Sequence, residues 1–286
     1  MLARFRQLLK SLQEEAHIFG HFRSLFMELV TADGTWEHYE GLLRFVDSGG
    51  NIIADRLGPA DYADLIDERA QPDSYLNSPY YKPLGYPERD NLCRLESGLY
   101  RLGTLARLNI CDRIGTPLAE QALQHFRQHG KSANGIVNSS FYHYARLIEI
   151  LTCLERIEIG LADVDLQSER LRSRADVNRL EAVGVGEAPR GTLFHHYKID
   201  ETGLLTQVNL IIATGQNNLA MNRTVAQIAR HYIHGDTIPE PMLNRVEAGI
   251  RAFDPCLSCS THAARQMALQ IELVDAKGQQ LDQLCR

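Results

Sequence analysis

No stretch of the sequence approaches the roughly 18 consecutive apolar residues that would span a bilayer. No basic excess marks it for nucleic acid or an anionic membrane, because its formal net charge is −6 over 286 residues. It has no internal repeat, no low-complexity tract and no alternating βαβ pattern, which argues against a doubly wound parallel sheet. Cysteine is too sparse for a disulfide scaffold, with single residues at 93, 111, 153 and 285 and a pair at 256 and 259. The first residues, MLARFRQLLKSLQEEAHIF, lack the unbroken apolar centre and small-residue cleavage site of a secretion signal. They read instead as an amphipathic helix carrying Leu2, Phe5, Leu8, Leu9 and Leu12. What remains is an ordinary globular composition, 44% hydrophobic and 23% charged, long enough to bury a sizeable core. A cytoplasmic address is expected.

Two- and three-residue turn signals divide the chain into elements. GLLRFVDSGGNIIAD predicts a hairpin about Ser48-Gly49-Gly50, and DYADLIDERA a short helix. Residues 71–100, rich in Pro, Tyr, Asn and Gly, predict an irregular segment. Thr116 as N-cap and Pro117 at the first position open a helix through Phe126. SSFYHYARLIEILTCLERIEIG keeps apolar residues at three- and four-residue steps and gives the clearest helix. A polar, then glycine-rich, linker is expected over 163–188. A second hairpin should turn at Glu201-Thr202-Gly203, followed by helices at NNLAMNRTVAQIARHYI and PEPMLNRVEAGIRAF and a last hairpin at Lys277-Gly278. The fold class expected is mainly α with small antiparallel β-hairpins. Cys111, Cys153 and Cys285 lie among apolar neighbours and should be small buried hydrophobes. His195 and His196 are adjacent on a strand, point to opposite faces and so cannot both reach one metal.

The stretch Asp254-Pro255-Cys256-Leu257-Ser258-Cys259-Ser260-Thr261-His262 carries the most chemistry. Thiolates three positions apart on a turn can converge on one metal. A closed zinc site would need a second such pair, and a redox dithiol would expect a thioredoxin-like βαβ setting. Spacing alone leaves metal binding, redox chemistry and chance all open.

With its flanks, DPCLSCSTH resembles the C-terminal signature of [NiFe]-hydrogenase large subunits, Asp-Pro-Cys-x-x-Cys-x-x-His. EAPRGTLFHHYKID, NLIIATGQNNLAMN, FGHFRSLFMELV, PYYKPLGYP and LARLNICDRIGTPLA are similar to the bidirectional, NAD-linked branch, from about residue 18 to the end. The resemblance implies a large-subunit helical core and reversible H2 oxidation. It implies a nickel–iron centre whose iron carries carbon monoxide and cyanide, with Cys256 as a terminal and Cys259 as a bridging thiolate. His262 would bind a nearby Mg or Fe ion. Arg190 would stand over the open metal position, set by the tight turn of Pro189 and Gly191. Its pKa exceeds ~12, so an electrostatic role fits better than that of a base, with a cysteine thiolate taking the proton. Asp254 would pair with Arg190, and Thr214 would set a hydroxyl or neighbouring amide against an iron cyanide.

The resemblance also implies partners: a small iron–sulfur subunit, flavin-bearing and NAD-binding diaphorase subunits, nickel-insertion factors and a maturation endopeptidase. That enzyme would cut His262–Ala263, making 1–262 the mature portion and 263–286 a removable extension. Nothing in the chain matches the family's other cysteine motif, Arg-x-Cys-Gly-x-Cys. The expectation is therefore either a fragment of a longer gene product or a genuine N-terminal truncation, the latter inactive alone. The alternative is a non-catalytic fragment that binds a partner or adventitious zinc.

Overall fold

The computed structural model describes residues 4, 7, 18–72, 74, 76–88, 97–129, 135–169, 172, 177–256 and 270–285. Cys93, Cys259, His262 and Ala263 lie outside them, as does the expected N-terminal helix apart from Arg4, Gln7, Ile18 and Phe19.

Strand β1 (Leu25–Val30) is buried along its whole length, and its period-two alternation feeds two separate cores. Leu25, Met27 and Leu29 pack with Leu43, Phe45, Tyr81 and Phe194. Phe26 and Val30 turn to the other side, among Leu105, Leu108, Phe126 and Tyr144. β1 pairs antiparallel with β2 (Leu42–Val46), which pairs with β3 (Ile52–Leu57) across the expected Ser48-Gly49-Gly50 turn. The helix expected from DYADLIDERA is only α1 (Tyr62–Leu65). Its second half extends as β4 (Ile66–Arg69), which pairs with β5 (Ser78–Tyr81) inside the segment expected to be irregular. Burial of Tyr62, Leu65, Ile66 and Tyr81 in one core overrides the local helix signal. The two-residue β6 (Tyr100–Arg101) runs parallel to β1 and completes a four-stranded sheet.

Three helices cover the second face of that sheet: α2 (Thr104–Ile110), α3 (Pro117–Gln128) and α4 (Phe141–Leu161). Thr116 stands at the N-cap of α3 with Pro117 behind it, but its side chain makes no capping hydrogen bond. Arg101, fully buried, binds the chain around it by donating to Phe22 O (3.0 Å), Val137 O (2.6 Å) and Ser24 Oγ (2.8 Å). Those acceptors replace its lost hydration.

The linker expected over 163–188 ends instead in strand β7 (Glu181–Ala188). β7 pairs antiparallel with β8 (Gly191–Ile199), and β8 with β9 (Leu205–Ile211). Cross-strand pairing and the packing of Val183 and Val185 against the core outweigh the low strand propensity of Gly184 and Gly186. Then follow α5 (Ala213–Gln216), α6 (Asn218–Tyr232) and α7 (Glu240–Ala252). The hairpin of β10 (Gln270–Val274) and β11 (Gln280–Cys285) lies beyond. The described residues therefore form a mixed α+β fold, with more sheet than the sequence suggested. No helix among them is long and apolar enough to cross a membrane.

Of the cysteines expected to be buried, Cys111 is, whereas Cys153 and Cys285 are exposed. Cys153 lies beside the outward apolar stripe of α4, where Ile150, Leu154, Ile157 and Leu161 are all about half exposed or more. Its apolar neighbours in sequence are thus not a covering in this chain.

Candidate active site

Arg190 stands at the tip of the β7–β8 hairpin. Ala188 pairs with Gly191, which leaves Pro189 and Arg190 as a two-residue turn. Two glycines let this turn touch the start of α2 through bare backbone. Gly191 has φ +131, and a Cβ there would lie 2.6 Å from the Leu102 Cβ. Gly103 has φ +86, and its Cβ would meet the Arg190 carbonyl oxygen at 2.9 Å.

On the other side, α7 ends and Asp254 redirects the chain with φ +53. The following Pro255 disfavours the helical conformation, and aspartate is one of the few side chains that tolerates the left-handed region. Arg190 Nε donates to Asp254 O at 2.5 Å and lies 3.3 Å from Asp254 Oδ2. Two residues on, the backbone N–H of the half-buried Cys256 donates to Thr214 Oγ1 at 3.2 Å. Thr214, in the first turn of α5, therefore holds the cysteine's main chain and keeps its own hydroxyl hydrogen to donate. Behind it Gln216 Nε2 donates to Thr192 O (2.8 Å), and Tyr100 donates to Gln216 Oε1 (2.9 Å).

The fold thus brings Pro189, Arg190, Thr214, Asp254 and Cys256 to one place. Cys259, His262 and Ala263 fall outside the described residues. Among the described residues, no group of three or more His, Cys, Asp or Glu side chains is arranged to hold a metal ion. His195 and His196 serve different partners, Tyr197 on one face and Tyr62 with Glu181 on the other. A polarisable thiol carried by a hydrogen-bonded turn, beside a guanidinium, suits a soft-metal group.

Pro189 and Asp254 also border a cleft of about 770 Å³, whose wall includes His38, Arg107, Glu149 and Glu187. None of these four was singled out from the sequence. Arg107 is buried among three carboxylates. It donates to Glu187 Oε2 (Nη2, 2.7 Å) and Glu149 Oε1 (Nη1, 2.8 Å), and its Nε lies 3.6 Å from Glu28 Oε2. Thr192 Oγ1 sits 2.9 Å from Glu28 Oε2 and 2.6 Å from Glu187 Oε1, and the Gly103 N–H donates to Glu28 Oε1.

Burial, reinforced by the nearby Glu187, holds the Glu28 carboxyl well above the usual carboxylate range. Burial opposes ionisation of Glu187 too, yet Arg107 and the hydrogen bonds from Glu28 and Thr192 prevail and keep it low. Burial raises Glu149, against the pull of Arg107. Burial, with Arg107 and Arg156 nearby, depresses His38 to about 4. A signal for one of these groups was present: Glu28 is the one charge in the apolar run LFMELV.

The nickel-dependent hydrogenase family profile matches residues 96–262. The chain is 42% identical over 274 residues to the NAD-reducing hydrogenase HoxS subunit beta of Cupriavidus necator, covering 94% of this chain and 53% of that protein. It is 40% identical over 252 residues to one subunit of the F420-non-reducing hydrogenase of Methanothermobacter thermautotrophicus, covering 87% and 51%. Its fold superposes on a crystal structure of an NAD+-reducing [NiFe]-hydrogenase in the H2-reduced state with a TM-score of 0.83 at 41% identity, over 91% of this chain and 55% of that one. The Ni-Fe-Se hydrogenase of D. vulgaris Hildenborough, 20% identical, shares the fold with a TM-score of 0.58 over 87% of this chain and 55% of that one. The chain spans about half the length of the relatives it matches. It belongs to the nickel-dependent hydrogenase family.

Proposed function

We propose that this chain is the C-terminal portion of the nickel–iron-binding large subunit of an NAD-linked hydrogenase, carrying out H2 ⇌ 2H+ + 2e−. The observation that carries this reading is the placement of Cys256 beside the Arg190–Asp254 pair. It is supported by the 42% identity to a subunit of an NAD-reducing hydrogenase.

Cys256 and Cys259 would hold the nickel–iron group and its carbon monoxide and cyanide ligands, and His262 an accessory Mg or Fe ion. When bound, the group supplies the redox-active position at which H2 is split. The chain's own residues do the rest. Arg190, a permanent cation fixed through Asp254, stabilises the charge that separates as the H–H bond breaks. Its hydrogen bond to the Asp254 carbonyl sets its position in advance, so little reorganisation is required. The Cys256 sulfur is the group that accepts the proton. Thr214 fixes the main chain of that cysteine and would offer its hydroxyl hydrogen to the iron's ligands.

Electrons would pass to a small iron–sulfur subunit, then on through flavin-bearing, NAD-binding partners, in the cytoplasm. The exposed apolar stripe Ile150, Leu154 and Ile157 supports packing against further protein. Residues 263–286 would be an extension that an endopeptidase removes at His262–Ala263 after nickel insertion. The test is H2-driven NAD+ reduction by the purified complex, expressed with its maturation factors. Activity in the wild type and loss in Cys256→Ser are expected. An active Cys256→Ser complex would refute the assignment.

A further inference from the structure

The Arg107 cluster has an imbalance of charge that its geometry makes chemically useful. Three carboxyls, Glu28, Glu149 and Glu187, face a single guanidinium. Fully ionised, the site would carry two uncompensated negative charges, and burial penalises such charges heavily. Glu28 and Glu187 crowd a single Thr192 hydroxyl, at 2.9 and 2.6 Å, and a hydroxyl has only one hydrogen to give. One further proton between these carboxyls satisfies the contact. The cluster is then left with one negative charge and a carboxylate, Glu149, that borders the cleft with only 10% of its side chain exposed.

We propose that this cluster is a proton-exchange site, in which Glu28 and Glu187 share one resident proton and Glu149 takes up and releases a second on the cleft side. The proposal rests on the hydrogenase reading for the source of that second proton, which is the splitting of H2 beside Arg190. Loading Glu149 makes the cluster neutral, and discharge to cleft water restores its single negative charge. No electron moves. The charged and titratable groups around it are Glu28 on β1, Arg107 on α2, Tyr142, Arg146 and Glu149 on α4, and Glu187 on β7. Cys153 and Arg156, farther along α4, and His38 line the same cleft. Burial, helped by Glu187, raises the Glu149 carboxyl, while Arg107 and Arg146 pull it the other way. Glu149 acts on the reaction through the cleft and touches no substrate.

Two measurements on the purified full-length complex test this. The first is the infrared band of a protonated carboxyl near neutral pH, identified by its shift in D2O. It is expected in the wild type and absent in Glu28→Gln, whose amide replaces the carboxyl hydrogen bond. If Glu28→Gln does not fold, the wild-type band is followed with pH and is expected to persist above about pH 7, far beyond an ordinary carboxyl. No such band, or one insensitive to Glu28, would overturn the shared proton.

The second is H2/D2O exchange. Glu149→Gln should slow it tenfold or more while nickel content and the KM for H2 stay unchanged, and Glu149→Asp should recover part of the rate. Exchange at the wild-type rate in Glu149→Gln would overturn the exchange role. A wild type with no exchange would refute the hydrogenase reading, and the Glu149 step with it, whereas the infrared band reports on the Glu28–Glu187 pair independently.

Discussion

Arg190 Nε donates to the main-chain carbonyl of Asp254 at 2.5 Å and lies 3.3 Å from the carboxylate of the same residue. The first contact belongs to the backbone, so it survives loss of the carboxylate's charge. The guanidinium, by contrast, has no substitute of the same shape.

This asymmetry makes the two residues unequal under mutation. Arg190→Lys should lower H2 oxidation by about 100-fold or more with nickel retained, because an ammonium cannot reproduce the planar fork. Asp254→Asn should stay within about tenfold of wild type, since the carbonyl contact remains. Steady-state rates on metal-loaded complexes check both.

The conformation of Asp254 gives a separate prediction about stability. At φ +53 a β-branched side chain clashes with its own backbone. Asp254→Val should therefore destabilise the fold by about 1–2 kcal/mol. Asp254→Asn should change it by less than about 0.5 kcal/mol, because the ion pair is half exposed and weak. Denaturant midpoints of the two variants decide this.

Gly191 should not accept even a methyl group. Alanine there meets both a φ of +131 and the Leu102 Cβ, within a close contact that aims Arg190. Gly191→Ala is expected to cost about 2 kcal/mol or more. It should also reduce activity further than its loss of stability explains, measured at a temperature where it is fully folded.

His38 should make stability depend on pH in the acid range. Its folded pKa, about 4, lies below the ordinary value near 6.5, so the unfolded chain binds the proton first. Its contribution is fully present above about pH 6.5 and is lost as pH falls towards 4. His38→Gln, which can still accept the Arg156 hydrogen bond, should flatten this segment of a stability–pH curve.

The elements legible in the sequence were those with a local signature. Phe141–Leu161 announced itself by its helical period, and three hairpins by their glycine turns. β1 did not, because a strand buried on both faces loses the alternation by which strands are read. β7 was hidden by its glycines, since its pairing with β8 is a tertiary fact.

The site divides in the same way. Arg190, Asp254 and Cys256 were found through short motifs, and the fold places them together. The cluster of Glu28, Arg107, Glu149 and Glu187 draws one residue from each of four distant elements, so no spacing in the chain points to it. A charge within an apolar strand was its one local trace.

Nickel content is the most direct measure of whether Cys256 is a donor to the proposed centre. The full-length complex, expressed with its maturation factors, should contain stoichiometric nickel, and Cys256→Ala should contain almost none while remaining folded. Nickel retained in Cys256→Ala, or missing from the wild type, would contradict the account.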